Sequence, residues 1–284
     1  MKSILQTSQD DSEDNSDVMD FHKADAMRGQ ALGTLHELEK FYFETLELCP
    51  DDMNFDQAHN RGKIEGMLWQ VRQLKSLTSL FYSQAGQDHF LDTFVFNGKR
   101  NGVFVEVGGF DGVTSSNCLF FEATRRWSGI LVEPAEAPMK HAKLFRNCEC
   151  IQAAVGPKKG DFDFLCITDG YTQMSGLIDE FKGTEIELLR GHQLHKEKII
   201  KVPTLPLQDL LRDHNLKDID YCSLDVEGAE YSILSNFPFD EFNIRAWTIE
   251  NNRQTTDIAE LMISKGYELL VVLGVDEIYK KVEV

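Results

Sequence analysis

Val103-Phe-Val-Glu-Val-Gly-Gly-Phe-Asp-Gly-Val-Thr-Ser-Ser-Asn117 carries a strand, a glycine turn and a helix start in immediate succession. Val103, Phe104, Val105 and Val107 are apolar and, Phe104 apart, β-branched, which suits a strand buried on both faces. Gly108, Gly109 and Gly112 then let the backbone turn and approach a ligand closely. Ser115 or Ser116 can cap the next helix, which would carry Asn117, Leu119, Phe120 and Phe121. Such a strand-turn-helix sets free backbone N–H groups beside a crevice at the strand's carboxyl end. That is a place for a nucleotide-like cofactor.

Composition bounds what surrounds this turn. The 284 residues, 42% of them hydrophobic, can fill one large α/β domain with an appendage, or two small domains. With 47 acidic against 29 basic residues, the net charge of -18 repels a phosphate backbone or an anionic membrane over most of the surface. Nucleic acid is therefore not expected as a substrate. No run approaches the roughly 18 apolar residues of a membrane span, and the acidic N-terminus does not read as a signal peptide, so a cytoplasmic address is expected. The six cysteines, at 49, 118, 148, 150, 166 and 222, form no C-x-x-C pair, and ordinary reduced thiols are expected.

Residues 1–20 mix Asp10, Asp11, Glu13, Asp14 and Asp17 with serine and glutamine, the composition of a disordered acidic tail. Leu35, Leu38, Tyr42 and Leu46 then recur at helical spacing, and Pro50 ends that pattern. A second helix is expected from Asn54, through Ile64, Leu68, Val71 and Leu74, to about Leu80. Residues 21–80 therefore read as a helical appendage, either covering a sheet edge or pairing two copies of the chain as a homodimer.

From residue 81 to 284 the pattern becomes α/β. Gly129-Ile-Leu-Val-Glu-Pro134 is a second buried strand ending in an acid. Glu133 stands where nucleotide-binding α/β folds place a carboxylate on the ribose hydroxyls. Ile151 to Val155 reads as the third parallel strand with its exit loop, where Ala153 and Ala154 would leave room for an adenine. Phe162 to Ile167 alternates as an added strand, and the polar segment 168–201 is the candidate lid or substrate loop. Ile219-Asp-Tyr-Cys-Ser-Leu-Asp-Val-Glu-Gly-Ala-Glu230 ends a strand in three carboxylates, Asp225, Glu227 and Glu230, an arrangement that is costly without a proton or a cation among them. Trp247 to Asn252 closes another strand on Glu250 and Asn251, and Tyr267 to Leu273 with Ile278 to Val282 makes a terminal hairpin. The expected architecture is three βα units, an insertion, two more, then an antiparallel pair.

The glycine spacing, Glu106-x-Gly108-x-x-x-Gly112, does not match the G-x-G-x-x-G of NAD-binding folds, which disfavours a dehydrogenase. Four motifs together resemble the FkbM family of S-adenosylmethionine-dependent methyltransferases: Ser83-Gln-x-Gly-Gln-Asp88, Phe104 to Asn117, Gly129 to Pro134, and Leu224-Asp-Val-Glu-Gly-Ala-Glu230. The resemblance covers roughly residues 80 to 273. It implies a Rossmann-like, seven-stranded class I methyltransferase sheet, with the N-terminal helices as an addition. It also implies that Glu106, Gly108 and Gly112 line the methionine and ribose side, that Glu133 holds the ribose, and that Asp225 lies beside the sulfonium. The cofactor-binding set on these motifs is Gln84, Asp88, Glu106, Gly108, Gly109, Phe110, Asp111, Gly112, Asn117, Glu133, Pro134, Ala153, Ala154 and Asp225. Phe110 departs from the pattern, since many methyltransferases carry glycine or a small polar residue there.

Methyl transfer to a hydroxyl needs the acceptor oxygen in line and a base or metal to take its proton. Asp225 is the expected base, with Glu227 beside it as the second catalytic candidate. Asp225, Glu250 and Asn251 also resemble the ligand set of magnesium-dependent O-methyltransferases, which implies a Mg2+ site. The expected activity is O-methylation of a hydroxyl on a sugar, glycan or other small-molecule acceptor. An inactive methyltransferase fold serving as an interaction module is the alternative.

Overall fold

The structure, a computed structural model, describes residues 21–48, 81–181 and 183–282. The chain falls into two units, Met1–Ser79 and Leu80–Val284. In the first, Phe21–Glu47 is one α-helix, α1. The expected acidic tail and the second expected helix lie outside the described residues. Among the described residues, no helix is long and apolar enough to cross a membrane.

The second unit is built on a seven-stranded sheet. Its strands are β1 (Val103–Val107), β2 (Ser128–Val132), β3 (Glu149–Ile151), β8 (Asp218–Leu224), β9 (Asn243–Glu250), β10 (Tyr267–Leu273) and β11 (Asp276–Lys281), in the order β10-β11-β9-β8-β1-β2-β3. β3, β2, β1, β8 and β9 are mutually parallel, and β11 runs antiparallel between β9 and β10. This is the fold expected of a class I methyltransferase.

Strand alternation divides the core. Phe104, Tyr221, Ala246 and Ile278 face one side, where they pack with Leu91, Phe96, Phe121 and Trp127. Val105, Cys222, Trp247 and Tyr279 face the other, against Leu207, Leu210, Ile233 and Met262. Both faces are covered, so the central strands read as continuous apolar runs. The chain winds outward from β1 through β2 to β3, then returns to start again at β8. The strand order reverses between β1 and β8, and there the carboxyl ends open into a crevice.

The reading of Ile151 to Val155 as the third strand with its exit loop needs one correction, since the end of that loop is itself a strand. β3 ends at Ile151, and β4 (Ala154–Val155) pairs with β7 (Lys196–Leu205) instead. The backbone bends at once, since the amides of Glu133 and Ala153 both donate to the Ile151 carbonyl. A four-stranded sheet, β4-β7-β5-β6, results, with β5 (Gly160–Asp169) and β6 (Gly176–Leu177) as its other members. The segment 168–201 is correspondingly more ordered than its polarity implies, because its end belongs to β7 and a helix runs over Gly183–Arg190. β7 turns Val202 and Thr204 inward while Lys196, Lys198, Ile199 and Lys201 face out, and Ile199 on the exposed side blurs the alternation.

Candidate active site

The crevice between β1 and β8 is a cleft of about 450 Å3, within the range of small-molecule sites. Gly108 makes it possible. It holds φ +80°, and a Cβ there would lie 1.6 Å from the carbonyl oxygen of Asp225. With the Asp225 amide donating to the Val107 carbonyl at 3.1 Å, the glycine turn and the acidic turn touch backbone to backbone. Where the sequence pattern leads one to expect free backbone N–H groups, the amides of Gly108 and Gly109 instead both donate to the Val132 carbonyl, at 3.0 and 3.1 Å. Phe110, Ser115 and Glu227 line the cleft at φ +45°, +59° and +59°, a backbone strain that clusters at functional sites. Glycine is the relaxed residue at this conformation, so Phe110 holds it at a cost in backbone strain.

Glu133 leaves the end of β2 and enters the cleft wall. Its two carboxylate oxygens accept from the amides of Phe110 at 3.1 Å and Ala135 at 2.7 Å. Burial nevertheless pushes its carboxyl up to about 7; the two amides oppose the shift and Asp111 adds to it. It is a charge-ready acceptor short of donors. A pair of ribose hydroxyls would supply them.

Glu106 is engaged differently. Its carboxylate accepts from Ser116 Oγ at 2.7 Å and, at 2.6 Å, from the Arg146 guanidinium, which also donates to Glu122 at 2.6 Å. Both side chains of the Glu106–Arg146 pair are buried. Burial works against ionisation of Glu122, but Arg146 outweighs it and holds that carboxyl below its usual range. Arg146 was not legible as a site residue, because no motif marks it. Its role follows only from the packing of the helix Glu136–Phe145 over the glycine turn, where a Cβ on Gly112 would press on Arg146 and Ala142.

Beyond Asp225, the acidic turn brings a cluster together. One oxygen from each of Asp225, Glu227 and Glu250 lies within 4.8 Å of the others. Burial and the Asp276 and Glu230 carboxylates push Asp225 up, opposed by a hydrogen bond with Glu250, and Glu250 is raised still further by burial and by Asp225. Groups so coupled hold a proton between them at neutral pH and can take up or return one. Glu230 stands back from the cleft: its carboxylate accepts from the amides of Val226 and Gly228 and so fixes the turn.

The cleft lining includes Gln84, Glu106, Gly108, Gly109, Phe110, Asn117, Glu133, Pro134, Ala153, Ala154, Asp225, Glu227 and Glu250. Asp88, Asp111, Gly112 and Asn251 stand apart from it. Asp88 accepts from the amides of Tyr82, Ser83 and His89, and Asp111 ties down Val113 and Thr114. Asn251 is tied to its own loop and to Glu277: its Nδ2 donates to the Thr255 carbonyl and to Glu277, each at 2.8 Å, and its Oδ1 accepts from the Thr255 amide at 3.2 Å, while the carboxylate that approaches Asp225 and Glu250 is Glu227. Two contributions escaped the sequence: Ser223, which accepts from Asn117 at 3.0 Å, and Asp276, which accepts from Gln87 at 2.7 Å; the stretch from Gly170 to Ser175, within the segment expected as a lid or substrate loop, does line the cleft. Asp276 is directly opposite Glu250 across the β9–β11 ladder, a register that only the folded hairpin reveals.

Residues 106–269 match the sequence profile of the Methyltransferase FkbM domain. No curated protein matches the chain. Solved structures with a similar fold include methyltransferase FkbM from Methylobacillus flagellatus KT, at 10% identity and a TM-score of 0.45 over 84% of this chain. This chain spans 58% of that protein's length. A TehB-like SAM-dependent methyltransferase from Corynebacterium glutamicum is 12% identical, with a TM-score of 0.35 over 75% of this chain and 96% of that one. A methyltransferase from Pyrococcus furiosus is 15% identical, with a TM-score of 0.35 over 68% and 80% of the two chains.

Proposed function

Because the chain belongs to the FkbM methyltransferase family, we propose that it transfers a methyl group from S-adenosylmethionine to a hydroxyl of a sugar, glycan or other small-molecule acceptor. The observation that carries the reading is the meeting of two unlike ends in one cleft. At one, buried Glu133 accepts from two backbone amides and keeps lone pairs for a ligand's donors; at the other, Asp225, Glu227 and Glu250 crowd together.

S-adenosylmethionine supplies, when bound, a methyl group on a sulfonium. Glu133 accepts the ribose hydroxyls, and Gly108, Gly109 and Phe110 form the close wall beside it. Ala153 and Ala154 leave space for the adenine. Asp225 takes the proton of the acceptor hydroxyl, its carboxyl raised toward neutrality and therefore a stronger base than an ordinary aspartate. Glu227, close to Asp225, favours positive charge there.

A magnesium ion on Asp225, Glu227 and Glu250 is the second reading, favoured by their mutual approach within 4.8 Å. Full activity in the presence of a chelator excludes it. Calorimetric titration with S-adenosylhomocysteine tests the main reading, with NAD as control and Glu133→Ala alongside. Micromolar binding that the variant loses supports it. A folded protein that binds neither ligand would instead be an interaction module.

A further inference from the structure

A second cavity, of about 380 Å3, opens beside the carboxylate cluster and shares Met174, Glu227, Glu250 and Asn252 with the main cleft. A molecule seated in it would reach the cleft across those carboxylates. Its walls are chemically lopsided. Phe181, Leu188 and Tyr231 offer apolar and aromatic surface, while Glu180, Glu230 and Asp257 add acid to Glu227 and Glu250. The cation among the described lining residues, Arg253, has its guanidinium on the carbonyls of Gly228 at 3.2 Å and Glu180 at 2.6 Å. At the junction, Oε2 of Glu250 is fully buried, in a residue 7% exposed, and no described residue donates to it. A buried carboxylate oxygen without a donor is costly, so this one is built for a donor that arrives with a ligand.

Resting on the methyltransferase reading, we propose that this second cavity is the acceptor subsite, and that it selects acceptors carrying an ammonium group beside the reacting hydroxyl, such as an aminated sugar. A neutral polyol could donate to Glu250 but would bring no charge to the acid-rich wall. A phosphorylated or carboxylated acceptor would meet the acidic side chains of Glu180, Glu227, Glu250 and Asp257 and be disfavoured. An ammonium group supplies donors and charge together, and the rings of Phe181 and Tyr231 favour a cation further.

Calorimetry on the full chain saturated with S-adenosylhomocysteine tests this with glucosamine, glucose and glucose 6-phosphate as probes. Glucosamine binds about tenfold more tightly than glucose, the worth of one charge-assisted contact, and glucose 6-phosphate does not bind. Glu250→Gln removes the preference. Ser232→Lys, which puts an ammonium into the cavity from a neighbouring lining position, abolishes glucosamine binding while S-adenosylhomocysteine still binds. The inference is overturned if glucose binds as well as glucosamine, if glucose 6-phosphate binds, if glucosamine does not bind, or if its binding survives Ser232→Lys. Manganese binding that Glu250→Gln abolishes, with no binding of glucosamine, would assign the cluster to a metal and likewise overturn it. Loss of S-adenosylhomocysteine binding in the wild-type protein would strike the methyltransferase reading itself, a separate result.

Discussion

Single residues set the two ends of the cleft, and each makes a measurable demand. A methyl group at position 108 has nowhere to go, because the Asp225 carbonyl oxygen stands 1.6 Å from where it would be. Gly108→Ala must therefore push the β1 and β8 turns apart; it is expected to lower stability by at least ~2 kcal/mol and to abolish S-adenosylhomocysteine binding, read by urea denaturation and calorimetry. Glu133 makes a pH-dependent demand. Its carboxyl is raised from 4.5 to about 7 in the folded chain, so the unfolded chain deprotonates first and the group costs stability as pH rises through that window. The full cost is on the order of 3 kcal/mol, and Glu133→Gln should flatten this fall in melting temperature between about pH 5 and pH 7 to the background of the other acids. Ribose hydroxyls would favour the carboxylate, so affinity for S-adenosylhomocysteine should decline below about pH 7 in the wild type, with proton release on binding. Unchanged affinity across that range would dissociate Glu133 from the ligand. Both residues were legible in the sequence because each sits at a strand end, where position alone dictates what a side chain can face. Arg146 was not. A buried arginine follows a helix without a motif, and the two carboxylates it joins are 24 and 40 residues away.

At the scale of elements, Arg146 becomes a fastening. It links Glu106 at the end of β1 to Glu122 in the helix Leu119–Arg125, from a position just past the helix Glu136–Phe145. Removing it alone leaves two buried carboxylates without their cation. Arg146→Met is expected to cost ~3–5 kcal/mol in denaturant unfolding, and adding Glu106→Gln and Glu122→Gln should recover part of that loss, because the uncompensated charge is then gone. If the triple variant were no more stable than the single one, packing around Arg146 rather than charge would be the fastening. The elements of the large sheet could be read in order because each parallel strand is a short apolar run between turn signals. The small sheet could be read only in part, through the alternation of Phe162 to Ile167 in β5. β4 contributes two residues, Ala154 and Val155, and its partner in β7 begins at Thr204, fifty positions later. Pairing at that distance leaves no local trace, and a polar strand with lysines on its open face reads as a loop.

For the whole molecule, charge and division matter together. A net charge of -18 disfavours anionic acceptors at long range, before any of them meets the carboxylates of the cleft. Raising the salt concentration should therefore weaken binding of a cationic probe and leave a neutral one nearly unaffected. The division of the chain raises a different question, since every described residue of the cleft and of the second cavity lies in the unit Leu80–Val284. That unit has a seven-stranded sheet covered on both faces and its own apolar core. We infer that it folds and binds without residues 1–79, and propose for the N-terminal unit the second of its two expected uses, pairing copies of the chain. A fragment of residues 80–284 is then expected to bind S-adenosylhomocysteine within about twofold of the full chain, a change below 0.5 kcal/mol, while sedimentation shows a dimer only for the full chain. A fragment that folds but fails to bind would make the N-terminal unit part of the site. If both forms sediment as monomers, the N-terminal unit has another use, and the acceptor chemistry argued from the cleft stands unchanged.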